Sequence, residues 1–150
     1  MGDSSVRTVH DQIDIDAPPE RVWEAFTDFR SFPSWNPFIR KMKGRLVPGR
    51  RLRVTLRLGR RKIRFRPQVT VVKPGREIRW LARQPIPRLF DVERAFQFQP
   101  RGSSGTRFVQ FETGRGLMAP IIMPLMRRRI AHGYAALNQA LKARVEGNRR

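Results

Sequence analysis

The residues best suited to chemistry fall in two short segments, "VERAFQF" at Val92–Phe98 and "TRFVQFE" at Thr106–Glu112. In the first, Val92, Arg94, Phe96 and Phe98 share one parity; in the second, Thr106, Phe108, Gln110 and Glu112 do. Side chains along a strand alternate between its faces, so each set shares a face. A hairpin closing at the "RGSSG" loop sets Arg94 opposite Gln110, with Glu112 on the diagonal. If Phe96 and Phe108 face a core, the three polar groups enter it with them. Buried charge is costly unless paired, so such a cluster points to a binding site. The guanidinium of Arg94 would hold a ligand carboxylate or enolate, and Gln110 and Glu112 would orient it. In an enzyme, Arg94 would stabilise an enolate while Glu112 acts as base. Two plainer readings stay open. One is a structural Arg94–Glu112 ion pair. The other is the opposite parity, with Arg94 in solvent, because Val109 and Phe111 are apolar too.

No second catalytic set stands out. There is no cysteine, no nucleophile–histidine pair and no phosphate loop. His10 and His132 are far apart and lack ligand spacing, so neither a metal site nor a cofactor is expected. In "SWNPF", Asn36 precedes a proline, which suits a residue that ends a helix and starts a turn. Trp35 beside it suits a core or a rim position. Trp80 and Tyr134 suit either a core or a cavity wall.

The elements that must position these residues follow from periodicity. "VRTVHDQIDI" reads as a strand ending in "DAPP", where Asp16 can cap a helix over "ERVWEAFTD". "FRSFPSWNP" has room for a second short helix, and "FIRKMKGRL" reads as a strand. In "LRVTLRLGRRKIRFR", Leu52, Val54, Leu56 and Leu58 alternate with Arg53, Thr55 and Arg57, and Ile63, Phe65, Val69 and Val71 continue one parity beyond the turn. A loop at Gly59–Lys62 pairs Leu58 with Ile63, Leu56 with Phe65 and Arg57 with Arg64. Arg51, Arg53, Arg57, Arg64 and Arg66, with Arg60, Arg61 and Lys62 of the loop, then form one outward basic patch. "EIRWLAR" is a further strand. From Ala119 to about Val145, the apolar positions Ile122, Met126, Ile130, Tyr134, Leu137, Leu141 and Val145 step by three and four, as in a long helix, with Pro124 in its first turns. The prediction is an α+β domain of seven antiparallel strands, two short helices between strands one and two, and a long C-terminal helix.

The 150 residues suit one domain, with about 6–146 structured and a loose tail at 147–150. The longest apolar run, Leu117–Met126, contains two prolines and is too short to span a bilayer. A soluble cytoplasmic protein is expected. The net charge of +20 favours anionic partners. A compositional preference for arginine explains its excess over lysine equally well, but not the low count of 12 acids.

The stretches "IDAPPERVWEAFTDFRSFPSWNPFI", "GRLVPGRRLRV", "REIRW", "GTRFVQFETGRGLMAP" and "GYAALNQALKARVE" resemble the SRPBCC group of the START-like superfamily, over about Val6 to Glu146. Many of its members are described as polyketide cyclase/dehydrase or lipid transport proteins. The resemblance implies a helix-grip fold, in which a curved seven-stranded sheet holds the C-terminal helix. It also implies an internal cavity for an apolar ligand. The residues expected to line it are Trp35, Leu56, Phe65, Trp80, Arg94, Phe96, Gln110, Glu112, Met126, Ile130 and Tyr134. Three functions follow as alternatives: binding of a small hydrophobic ligand, a cyclase or dehydratase acting on a polyketide-like substrate, and charge-driven association of the basic face with an anionic membrane or nucleic acid. No motif for specific nucleic-acid recognition is present.

Overall fold

The alternation in Asp91–Arg101 and Gly105–Arg115 produces the two longest strands of the computed structural model, which describes residues 7–83 and 88–147. In chain order the elements are β1 (Arg7–Ile15), α1 (Pro19–Thr27), a 3-10 turn (Phe29–Ser31), α2 (Phe32–Trp35), β2 (Ile39–Lys43), β3 (Arg53–Leu58) and β4 (Arg61–Phe65). There follow β5 (Gln68–Lys73), β6 (Glu77–Arg83), β7 (Asp91–Arg101), β8 (Gly105–Arg115) and α3 (Ala119–Gly147). The strands pair antiparallel in the orders β1-β8-β7-β6-β5 and β2-β3-β4. The buried side of α3, with Ile130, Tyr134, Leu137, Leu141 and Val145, joins the same core as Val54, Leu56, Phe96 and Phe108 of the strands. This is the helix-grip arrangement.

Among the described residues there are eight strand segments rather than seven. The single strand expected across Ile63–Val71 is divided at Pro67, which has no N–H to give a ladder. The backbone of the preceding segment takes over there. Leu52 N–H donates to Pro67 O at 2.9 Å, and Val69 N–H donates to Arg50 O at 2.8 Å.

Both expected hairpin registers are off by two residues. The β3–β4 turn is the tight pair Gly59–Arg60, with Gly59 at φ 63°, the first position of a type II′ turn, where glycine is favoured. Leu56 therefore faces Ile63, Val54 faces Phe65, and Arg57 faces Lys62 instead of Arg64. In the β7–β8 hairpin Arg94 faces Glu112, and Gln110 faces Phe96. A shift of two preserves the faces, so the inward and outward sets of these two hairpins are those of the sequence reading. Beyond Pro67 the reading fails at one residue: a bulge between Val69 and Val71 reverses the parity, and Val72, opposite Ile78, packs on the core in place of Val71.

Other differences are local. The cap of α1 is Pro18 rather than Asp16, whose backbone N–H donates to the Glu146 carboxylate at 2.9 Å. Pro124 lies in the second turn of α3, which continues to Gly147. The expected loose tail lies, apart from Gly147, outside the described residues. Gly133 lets α3 approach the sheet closely: a Cβ there would collide with the Phe38 ring.

Candidate functional site

The inward parity of β7 carries Arg94 into the core, where the residue is 1% exposed. Its guanidinium carbon lies 5.2 Å from the ring centre of Phe38, 5.2 Å from that of Tyr134 and 5.9 Å from that of Trp80. Three aromatic faces therefore surround the cation, an arrangement that offsets part of its lost hydration. Arg94 Nη2 donates to Glu112 Oε1 at 2.6 Å. Its Nε and Nη1 have no acceptor. Leaving a buried donor unpaired costs about 1–3 kcal/mol, more when it is charged. The cluster is thus a paired cation with donor capacity to spare.

Burial alone would push the Arg94 pKa down; the charge and hydrogen bond of the Glu112 carboxylate oppose it, and the net direction is up. Arg94 stays protonated. Burial pushes the Tyr134 phenol well above its ordinary value, against the opposing pull of Arg94, so Tyr134 is a neutral hydroxyl at physiological pH. That hydroxyl is also buried without a partner.

Arg94 and Glu112 form the polar part of a recess of about 460 Å³. Leu56 and Leu58 of β3, Ile63 and Phe65 of β4, Trp80 and Ala82 of β6, and Val92 of β7 line its sheet side. Leu89 and Phe90 close one margin, and Ile122, Met123, Met126 and Ile130 of α3 cover the other side. The volume falls within the usual range for small-molecule sites, and the lining has the usual character, apolar with few polar groups.

Seven of the eleven residues expected at a cavity line this recess: Leu56, Phe65, Trp80, Arg94, Glu112, Met126 and Ile130. The other four do not. Phe96 is fully buried between Phe26, Trp80 and Phe108. Gln110 Nε2 donates to Asn138 Oδ1 at 2.7 Å, tying β8 to α3 away from the recess. Tyr134 reaches Arg94 from behind, through its ring. Trp35 is half-buried elsewhere; its indole N–H donates to Ser31 Oγ at 2.8 Å, and Arg144 lies over its ring. Asn36 ends α2, and its Oδ1 accepts from the N–H groups of Phe38 and Ile39, at 3.0 and 2.8 Å. Sequence reasoning missed Leu58, Ile63 and Val92, although their parity matched Leu56, Phe65 and Arg94. It also missed Phe90, which continues the parity of Val92 and Arg94 one step before β7. His10 and His132 are exposed, and no group of three metal-ligating side chains exists among the described residues.

The sequence matches the family model described as polyketide cyclase / dehydrase and lipid transport over residues 6–146. No curated protein sequence matches it. Similar solved structures include the ZhuI aromatase/cyclase from Streptomyces sp. R1128, with TM-score 0.74 and 17% identity over 97% of this chain and 96% of that one. A START superfamily protein from Mycobacterium smegmatis has TM-score 0.71 and 22% identity over 94% and 98%. TTHA0849 from Thermus thermophilus has TM-score 0.73 and 20% identity over 96% and 100%. At these identities the likeness extends to the fold.

Proposed function

The chain belongs to the polyketide cyclase/dehydrase and lipid transport family, and from that premise we propose that it binds a small hydrophobic molecule in the recess, with an anionic or enolic oxygen of that molecule against Arg94. The observation that carries this reading is the guanidinium itself: a buried cation at the wall of an apolar recess, with two nitrogens lacking acceptors. A carboxylate or enolate there would accept from a charged donor, the stronger class of hydrogen bond. An aromatic or polyketide-like body would pack against Trp80, Phe65 and Met126. The basic outer face adds a weak, sequence-independent attraction to anionic surfaces.

A second reading is favoured by the position of Glu112. It borders the recess next to Arg94, where a carboxylate can remove a proton from a bound carbonyl compound while the cation stabilises the enolate. On this reading the protein is a cyclase or dehydratase.

Titration with 8-anilinonaphthalene-1-sulfonate, an apolar ring system bearing an anion, tests the first reading. Micromolar binding, about −8 kcal/mol, is expected. The paired substitution Arg94→Met with Glu112→Gln should weaken it at least about tenfold, a loss of about 1.4 kcal/mol. Unchanged affinity would remove Arg94 from the site. Native mass spectrometry of protein from its own host would identify a retained ligand. With that ligand, Glu112→Gln separates the readings, since an enzyme keeps binding and loses turnover.

A further inference from the structure

The entry into α3 reverses the usual distribution of apolar and polar residues. Leu117, in the turn before the helix, is 77% exposed, and Ile121 and Leu125 in its first two turns are 55% and 76% exposed. The spacing of four puts Ile121 and Leu125 on one side of the helix. The neighbouring side, with Ile122, Met123 and Met126, lines the recess. Directly after the stripe come Arg127, Arg128 and Arg129, all exposed.

The opposite bank of the recess carries the same combination. Leu58 and Ile63 line it from the β3–β4 hairpin, whose tip presents exposed Arg57, Arg60, Arg61 and Lys62. No aspartate or glutamate occurs from Phe29 to Arg76, nor from Thr113 to Val145. The ion pairs of the described residues involve other cations: Arg79, Arg94, Arg101, Arg107 and Lys142. One end of the molecule therefore combines exposed large aliphatic groups with a collar of cations not neutralised by neighbouring acids.

We propose that this end docks on an anionic lipid bilayer. Ile121, Leu125 and Leu117 enter the boundary between headgroups and acyl chains, the arginines of both banks contact the headgroups, and the recess faces the membrane. Interfacial elements bind in this way, through buried apolar area added to attraction for anionic lipid. Nucleic acid is a poorer match, because charge alone would serve it and the aliphatic stripe would stay in water. A second copy of the chain would bring one arginine collar against another. The surface stands on exposure and charge; that docking serves exchange of a ligand with the membrane rests on the proposed function of the recess.

The test is co-sedimentation of the full chain with vesicles of phosphatidylcholine and phosphatidylglycerol, compared with phosphatidylcholine alone. Binding to the mixed vesicles, weak binding to the neutral ones and decline with salt are expected. Ile121→Ser with Leu125→Ser should lower partitioning at least about tenfold, because bound apolar area is lost. Arg127, Arg128 and Arg129 changed together to Gln should lower it and flatten the salt dependence. Three results would overturn the proposal: no binding to anionic vesicles, binding that the serine pair leaves unchanged, or a concentration-dependent dimer that the serine pair abolishes. Binding to single-stranded DNA without binding to vesicles would likewise replace lipid with a generic polyanion. Dye titration without vesicles keeps the two proposals apart. Loss of vesicle binding with dye binding intact concerns the docking surface, and the reverse concerns the recess.

Discussion

One end of the interior is filled and the other is open, although the same sheet and the same helix bound both. Beneath α1, the Phe26 ring centre lies 4.8 Å from that of Phe96, 5.4 Å from Phe108, 5.7 Å from Phe32 and 5.8 Å from Phe98. All five rings are buried. Beneath the first turns of α3 the walls are Leu56, Leu58, Ile122, Met126 and Ile130, and a recess remains between them. The difference lies in α1, which inserts Phe26 and Val22 between sheet and helix at one end. Among the described residues no short helix inserts side chains in this way at the recess. Packing at the filled end serves stability, and the open end leaves apolar surface uncovered, as the proposed ligand site requires.

The contrast is broken or kept by a pair of truncations. Phe26→Ala should destabilise by about 4 kcal/mol in urea unfolding, because a ring in contact with four others leaves a cavity. Met126→Ala, at the half-buried wall of the recess, should cost only about 1 kcal/mol, since few packed contacts are lost. Equal costs would mean that the two ends are packed alike.

The next effect concerns the polar group between the two ends. Arg94→Met alone should destabilise by about 3 kcal/mol, because it leaves the Glu112 carboxylate buried without its cation. Adding Glu112→Gln should return most of that loss. A double variant no more stable than the single one would show that the guanidinium is held by its aromatic cage and not by Glu112.

The smallest effect sharpens the account of the filled end. There Glu146 accepts from Lys142 Nζ at 2.7 Å and from the backbone N–H of Asp16 at 2.9 Å, joining the end of α3 to the chain entering α1. The hydrogen bond from Lys142, with that from Asp16, lowers the Glu146 pKa below its usual value of 4.5. A depressed folded-state pKa gives a contribution that is full above the unfolded value and is lost as pH falls through the folded one. Glu146→Gln should therefore lower stability at neutral pH by less than about 1 kcal/mol, as for other exposed pairs, and the difference should vanish in acid. A difference that persists at low pH would assign the effect to packing.

The faces of the sheet are legible in the sequence because alternation reports them directly. "VERAFQF" sets Arg94 with Val92, Phe96 and Phe98 by alternation alone; that this face is the inward one, shared with Trp80, comes from the pairing of β6 with β7. Alternation is blind to a shift of two, and both hairpin registers differ from the sequence reading by that amount. The turns decide them, through Gly59 at φ 63° and Gly102 at φ 65°. The same blindness separates Gln110 from Glu112. They share a face of β8, but Glu112 lies at the recess and Gln110 lies under Asn138, one helix segment further along. Parity gives a direction; position along the strand depends on what lies across from it. Pro67 is visible as a ladder-breaker, yet the continuing apolar parity of Val69 and Val71 conceals the break.

Gly133 has an effect beyond the close contact it permits. The Phe38 ring that occupies its missing side chain's place is also one wall of the cage around Arg94. The spacing between helix and sheet is therefore geared to the polarisable surroundings of the buried cation. A single methyl group at residue 133 would have to displace either the helix axis or that ring, so the setting of the charge and the grip on the helix cannot be adjusted independently.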